Sequence, residues 1–386
     1  MVALLWLGAC SVSPPPPPPP ADAIDVVVVV VDSLRRDRTS TYGHVAPTTP
    51  TLDALAAGGV RYERATSVAP WTLPAMAGML TGQLPSSLGV TQHDSRVPDD
   101  ALLISEALSA AGWATAAISS HSFFSPDHNL QQGFSVFDTT NIVGHQQETS
   151  EGVTDAALRF LTEHPSEPVF LVAHYFDPHF AYIAHRDAQI EMPAHQGQVV
   201  PGMSIQALRA LQPSDADRDA VMAIYDGEIA HTDAHIGRLM AGIAARGRLD
   251  QTLVVVTHDH GEAFWEHGHL GHTIELYEQA IASPLVVDYP AGWGPPAGTA
   301  VAERVSLLDL PVTIAAITGV EDVFAGHALF APQIDRIVQS ETLKGADLRA
   351  VLTARHKLIW DRKADTVQLF DLAQETGTSL VTEKYH

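Results

Sequence analysis

The six consecutive valines at 26–31, in "DVVVVVVDSLRRD", constrain this chain more than any other stretch. A β-branched run without polar interruption suits a strand covered on both faces, and such strands belong to the interior of a parallel sheet. Similar runs follow at "ATAAIS" (114–119), "VFLVAHYF" (169–176), "TLVVVT" (252–257) and "PLVV" (284–287). Helical patterns lie between them. "TPTLDALAAGG" stops at Gly58 and Gly59, and "DALLISEALSAAG" behaves likewise. The longest runs from about Asp217 to Arg246, with Val221, Tyr225, Ile229, Ile236, Met240 and Ile243 at helical spacing. Glu228 and Asp233 on it read as architecture. Strands alternating with helices predict an α/β sandwich around a large, mainly parallel central sheet.

Two regions differ in texture. Residues 180–213 are rich in Pro, Gly, Gln and His with little periodicity, which predicts a long surface excursion. Beyond about residue 331 the chain reads "VLTARHKLIWDRKADTVQLFDL", short alternating runs that suit a small antiparallel subdomain. The expected division is a leader and linker at 1–23, an α/β domain at 24–330 and a C-terminal subdomain at 331–386. The formal net charge of −23, from 45 acidic against 22 basic residues, argues against nucleic acid as partner, because phosphate binding needs clustered Lys and Arg.

Cys10 is the single cysteine, so no internal disulfide forms. It closes "MVALLWLGAC", whose "LGAC" resembles the lipobox of bacterial lipoproteins. That resemblance implies a lipid on Cys10 and a place in the bacterial cell envelope, periplasmic or on the outer surface. The prolines at 14–20 would then act as a stiff spacer of roughly 3 Å per residue between membrane and domain.

In open α/β sheets ligands bind at the carboxyl ends of the strands. The first strand ends in Asp32, "VFLVAHYF" runs into Asp177, Pro178 and His179, and "TLVVVT" runs into His258, Asp259, His260, Gly261 and Glu262. Carboxylates and imidazoles delivered to one edge are what a divalent-metal site requires. Five histidines lie between His258 and His272, too many for one ion. His260 is the expected ligand, His272 is expected at the substrate, and His267 and His269 rank below them. Thr72, in "APWTLPAMAGMLTG", precedes a helix begun by Pro74. It is there to cap that helix, to attack a substrate bound at its tip, or both.

The blocks "VVVVDSLRRDRTSTYG", "TPTLDALAAGGVRYERATSVAPWTLPAMAGMLTGQLP", "HYFDPHFAY", "YDGEIAHTDAHIGRL" and "THDHGEAFWEHG" resemble, in order, those of the sulfatase family within the alkaline phosphatase superfamily. "RHKLIWD" and "QLFDLAQE" resemble its C-terminal subdomain. The resemblance implies an alkaline-phosphatase-like fold and a metal-dependent hydrolase of sulfate or phosphate esters, carried on small molecules, glycans or lipids. It places one divalent ion, Ca²⁺ or Mn²⁺/Zn²⁺, on Asp32, Asp259 and His260. It sets His179 against the ester and assigns substrate contacts to His272 and Lys357.

Departures narrow the chemistry. Ser33 replaces the second aspartate of the family's first pair, and Met76 stands where sulfatases carry Arg. Ser120 and Ser122 stand where a lysine and a histidine are usual, with His121 out of register. Thr72 stands where they carry the Cys or Ser that becomes formylglycine, so no formylglycine is expected and Thr72 itself is the expected nucleophile. Thr at this place resembles phosphodiesterases, phosphonate hydrolases and phosphoglycerol transferases of the superfamily. A transferase, or a binding protein without turnover, are the alternative readings.

Overall fold

The computed structural model describes residues 20, 22–142, 144, 147–185, 190, 197–320, 323–332, 334–373 and 381–384. The valine run becomes β1 (Asp25–Val31), buried throughout. It lies inside a nine-stranded sheet with β2 (Val60–Thr66), β3 (Ala114–Ser119), β4 (Val136–Asp138), β5 (Val169–Tyr175) and β6 (Thr252–His258). After a small hairpin of β7 (Ala263–Phe264) and β8 (Leu270–Gly271), the sheet is completed by β9 (Ala282–Ser283), β10 (Leu285–Asp288) and β11 (Thr299–Ser306). The order is β11-β2-β10-β6-β1-β5-β3-β4, with β9 beside β2. Pairings are parallel except those of β9 and β10, so the sheet is mainly parallel, as its valine-rich strands predict.

The helices are α1 (Pro50–Gly58), α2 (Thr72–Thr81), α3 (Pro85–Leu88), α4 (Ile104–Ala110), α5 (Ser150–Glu163), α6 (Ile205–Arg209), α7 (Asp215–Ala245), α8 (Glu278–Ile281) and α9 (Leu310–Thr318). Alternation along β1 divides the core into two layers. Val26, Val28 and Val30 face a cluster with Leu73, Met76, Leu108 and Ile314, from α2, α4 and α9. Val27, Val29 and Val31 face another with Phe160, Val221, Ile229 and Leu239, from α5 and α7. Each buried valine is worth about 1.5–3 kcal/mol. Helices on both faces of one sheet follow from that pattern.

A separate antiparallel sheet holds β12 (Val338–Thr342), β13 (Leu348–Leu352), β14 (His356–Asp361), β15 (Thr366–Asp371) and β16 (Val381–Lys384), in chain order. The expected excursion at 180–213 is only partly superficial: Ala181, Tyr182, His185, Val199, Ile205 and Leu208 are buried. Tyr182 donates its hydroxyl to Glu262 at 3.1 Å, which draws this segment down beside β6. Cys10 and the leader around it lie outside the described residues. Among the described residues no helix is long and apolar enough to cross a membrane.

Candidate active site

The carboxyl ends of β1 and β6 converge with the start of α2. Asp32, Thr72, Asp259 and His260 are all buried there. The turn after β1 is set by Ser33, a non-glycine residue at φ 57°. In that conformation its N–H donates to Asp259 Oδ1 (3.3 Å) while its hydroxyl donates to Asp32 Oδ1 (2.9 Å). Its carbonyl accepts from the Tyr225 hydroxyl of α7 (2.7 Å), which itself accepts from the Arg35 N–H. Ser33 therefore organises both carboxylates.

Thr72 is the first residue of α2, and the cap position belongs to Trp71. The capping role expected for Thr72 is not found. Its Oγ1 turns instead to His260 Nε2 (3.2 Å) and Asp32 Oδ2 (3.5 Å). Met76, at the family's Arg position, is buried in the core cluster with Trp71 and Leu73.

Sequence reasoning missed two histidines. His174, inside β5, places Nε2 3.6 Å from Asp259 Oδ2 and 3.9 Å from Asp32 Oδ2. The signal was a lone polar residue interrupting "VFLVAHYF". His121 places Nε2 3.8 Å from Asp32 Oδ2 and stacks on Phe123 (4.9 Å), so it reaches the site despite its register. Asp32, His174 and Asp259 each present a possible ligand atom within 4.8 Å of the others, and so do Asp32, His121 and His179.

His179 is buried between Phe176 (4.5 Å) and Phe180 (4.0 Å), with His121 at 5.7 Å and His272 at 5.0 Å. His272 lies 4.4 Å from the His260 ring and is oriented through Glu262 (3.0 Å). His258 is held by the Leu34 carbonyl and Ser283, and His267 stacks on Tyr277. Lys357 is buried in β14 and donates to Glu278 of α8 at 3.0 Å. Near the start of α2 stands a cation, Lys344, whose Nζ is 4.3 Å from the centre of the Trp71 ring and 5.9 Å from that of Phe123.

Two buried carboxylates set the electrostatics. Burial and the neighbouring Asp259 charge push Asp32 well above the usual carboxylate range. Burial acts on Asp259 in the same direction, but His260, His174 and His258 outweigh it and hold Asp259 below that range. Burial pushes His260 down to about 4 and leaves its imidazole neutral at pH 7, as a ligand must be. Asp259 Oδ2 and His174 Nε2 are buried without a hydrogen-bond partner, although they face each other. A divalent cation would satisfy both orphans and offset the paired negative charge, so the residues fit a metal.

A family model described as Sulfatase matches residues 24–320. The chain is 25% identical over 340 residues to arylsulfatase A of Bos taurus, covering 75% of this chain and 63% of that protein. It thus spans less than two thirds of that relative. Choline-sulfatase of Rhizobium meliloti is 23% identical over 390 residues, covering 84% and 75%. Among solved structures, the phosphonate monoester hydrolase from Silicibacter pomeroyi superposes with a TM-score of 0.75 at 21% identity, covering 92% of this chain and 91% of that one. A 2-O GAG sulfatase superposes with a TM-score of 0.75 at 16% identity, covering 93% and 88%. These superpositions show the alkaline-phosphatase-like fold. With a family match over most of its length and the family's blocks meeting at one sheet edge, this chain belongs to the sulfatase family.

Proposed function

We propose that this chain is a metal-dependent ester hydrolase with Thr72 as nucleophile, acting on phosphodiesters or phosphonate esters in preference to sulfate esters. The observation that carries the reading is the Thr72 hydroxyl, pointed at Asp32 and His260 instead of capping its helix. Threonine is a secondary alcohol, and its oxidation would give a ketone, not the aldehyde of formylglycine. The hydroxyl itself is left as the attacking group. The likeness in fold to phosphonate monoester hydrolases supports the phosphorus side of the family.

Asp32, Asp259 and His260 would hold the ion, with His174 presenting a further nitrogen. Two imidazoles among the donors favour Zn²⁺ or Mn²⁺ over Ca²⁺. When bound, the ion supplies positive charge that lowers the hydroxyl pKa and stabilises the ester oxygens. Thr72 Oγ1 gives up its proton as it bonds to phosphorus, the bond from phosphorus to the alcohol oxygen breaks, and the departing oxygen takes up a proton in exchange for the one released. His179 would steady or protonate that oxygen. Water then resolves the threonine ester. Lys344 is the better-placed cation for an anionic substrate, in preference to Lys357.

The test is a panel of aryl sulfate, phosphate monoester, phosphodiester and phosphonate ester, each with Ca²⁺, Mn²⁺ or Zn²⁺. The phosphodiester or phosphonate should turn over fastest with Zn²⁺ or Mn²⁺. Transfer of the group to added glycerol would favour the transferase reading, and no turnover with any pairing would leave a binding protein.

We also propose that Cys10 carries a lipid anchor, on the strength of "LGAC" and the polyproline spacer. Wild type should fractionate with membranes and Cys10→Ser with the soluble fraction. Equal partitioning of the two would end the idea.

A further inference from the structure

Away from the ester site, a second group of imidazoles and carboxylates is assembled from three separate parts of the chain. Glu148 precedes α5, His185 lies in the segment after β5, and His231 and Glu228 come from α7. Glu148, His185 and His231 each present a possible ligand atom within 4.8 Å of the others. We propose that Glu148 Oε1, His185 Nδ1 and His231 Nε2 form a binding site for a structural transition-metal ion of the Zn²⁺ class, separate from the ion at Thr72.

The His185 imidazole carries the argument. Its side chain is fully buried, and Nε2 lies 2.5 Å from Glu228 Oε2. A carboxylate at that nitrogen accepts Nε2–H and leaves the lone pair on Nδ1, the arrangement in which metal-bound histidines are held. Nδ1 is buried without a hydrogen-bond partner, yet Glu148 Oε1 stands only 3.2 Å away, out of hydrogen-bond alignment. A lone pair set against a carboxylate oxygen is repulsive unless a cation bridges them. Ligands about 2.0–2.2 Å from a tetrahedral zinc stand roughly 3.2–3.5 Å from one another, and the Glu148–His185 pair has that spacing, with His231 within 4.8 Å of both.

The neighbours are arranged to hold this geometry. Glu228 Oε1 accepts the Ile183 N–H at 2.5 Å, so one side chain of α7 fixes both ends of the 183–185 segment. The His231 ring stacks face to face on His185, with centroids 3.9 Å apart and planes 15° apart. Asp177 flanks the group: its Oδ2 lies 3.9 Å from His231 Nε2, while its oxygens accept from the Thr149 and Ser150 N–H groups at the start of α5. Glu148 is more than half exposed, which gives an ion access from solvent. An ion here would fasten to α7 the segment that also carries His179.

The experiment strips the full chain with a chelator, reloads it with Zn²⁺ and counts bound ions by elemental analysis. Wild type, Asp259→Asn, Glu148→Gln, His185→Gln and the Asp259→Asn/Glu148→Gln double variant are compared. Wild type should hold two ions, each single variant one and the double variant none. Zn²⁺ should raise the melting temperature of Asp259→Asn but not of the double variant. Glu148→Gln changes an exposed side chain, so its circular dichroism should match wild type even if His185→Gln fails to fold. Equal zinc in wild type and Glu148→Gln would overturn the proposal. So would a wild type holding one ion that Asp259→Asn removes. Turnover by wild type tests the ester site without reference to Glu148, so failure of the hydrolase reading shows separately.

Discussion

At the scale of single residues, Thr72 shows what sequence position reveals and what only coordinates add. Its place before Pro74 allowed a cap, a nucleophile or both, and the chain entering α2 decides against the cap because Trp71 occupies that position. Thr72→Ala should therefore cost at most about 1 kcal/mol of stability, the usual value of a lost cap. Loss of a nucleophile instead removes a factor on the order of 10⁴–10⁶ in turnover. Thr72→Ser, which loses only a methyl group, should retain part of the activity. Steady-state kinetics with thermal melts check both halves, and near wild-type turnover by Thr72→Ala would defeat the assignment. Asp32, Asp259, His260, His179 and His272 were legible because each follows the end of a recognisable strand or lies in a dense histidine block. His174 and His121 were not, because side-chain direction within a strand and its exit loop depends on pairing. One lysine in a short alternating run carries no sign of which face it takes, and the face of Lys357 meets Glu278.

At the scale of elements, strands buried on both faces announced themselves and the others did not. β2, "VRYERAT", alternates buried and part-exposed residues, and β11 is mostly exposed over its first five. Neither forms an apolar run, so both escaped notice although they extend the sheet beyond β10. α7 was visible from its stripe, and Asp233 on it proves architectural in a specific way. Its carboxylate accepts the N–H groups of Thr51 (2.7 Å) and Leu52 (3.1 Å), capping α1 from another helix where Thr49 makes no cap bond. Burial nevertheless raises the Asp233 pKa from 3.8 to about 6, against those hydrogen bonds. The folded chain thus keeps this proton to higher pH than the unfolded chain. The stability it contributes is full below pH 3.8 and is lost as pH rises to about 6. The difference corresponds to about 3 kcal/mol. Asp233→Asn, which keeps an acceptor for one N–H, should flatten this part of the pH–stability curve in denaturant titrations between pH 4 and 7. An unchanged slope would mean that Asp233 is ionised throughout.

At the scale of the whole molecule, charge and site pull in opposite directions. The formal net charge is −23, while the proposed substrate is an anion bound beside a metal and Lys344. Which field governs depends on distance. At an ionic strength of 10 mM the Debye length is about 30 Å, comparable with the size of a domain, so an approaching anion meets the charge of the whole surface. At 150 mM it is about 8 Å, and only charges close to the site act on the substrate. Added salt should thus remove long-range repulsion and spare short-range attraction. For an aryl phosphodiester, kcat/KM should rise several-fold between 10 and 150 mM salt while kcat stays constant, because the bound complex already lies within the local field. Kinetics at fixed pH and fixed metal concentration, with two different monovalent salts, separate screening from specific ion binding. A kcat/KM that falls with salt would show that the cations around Thr72 dominate even at long range, and that the acidic surface is turned away from the path of the substrate.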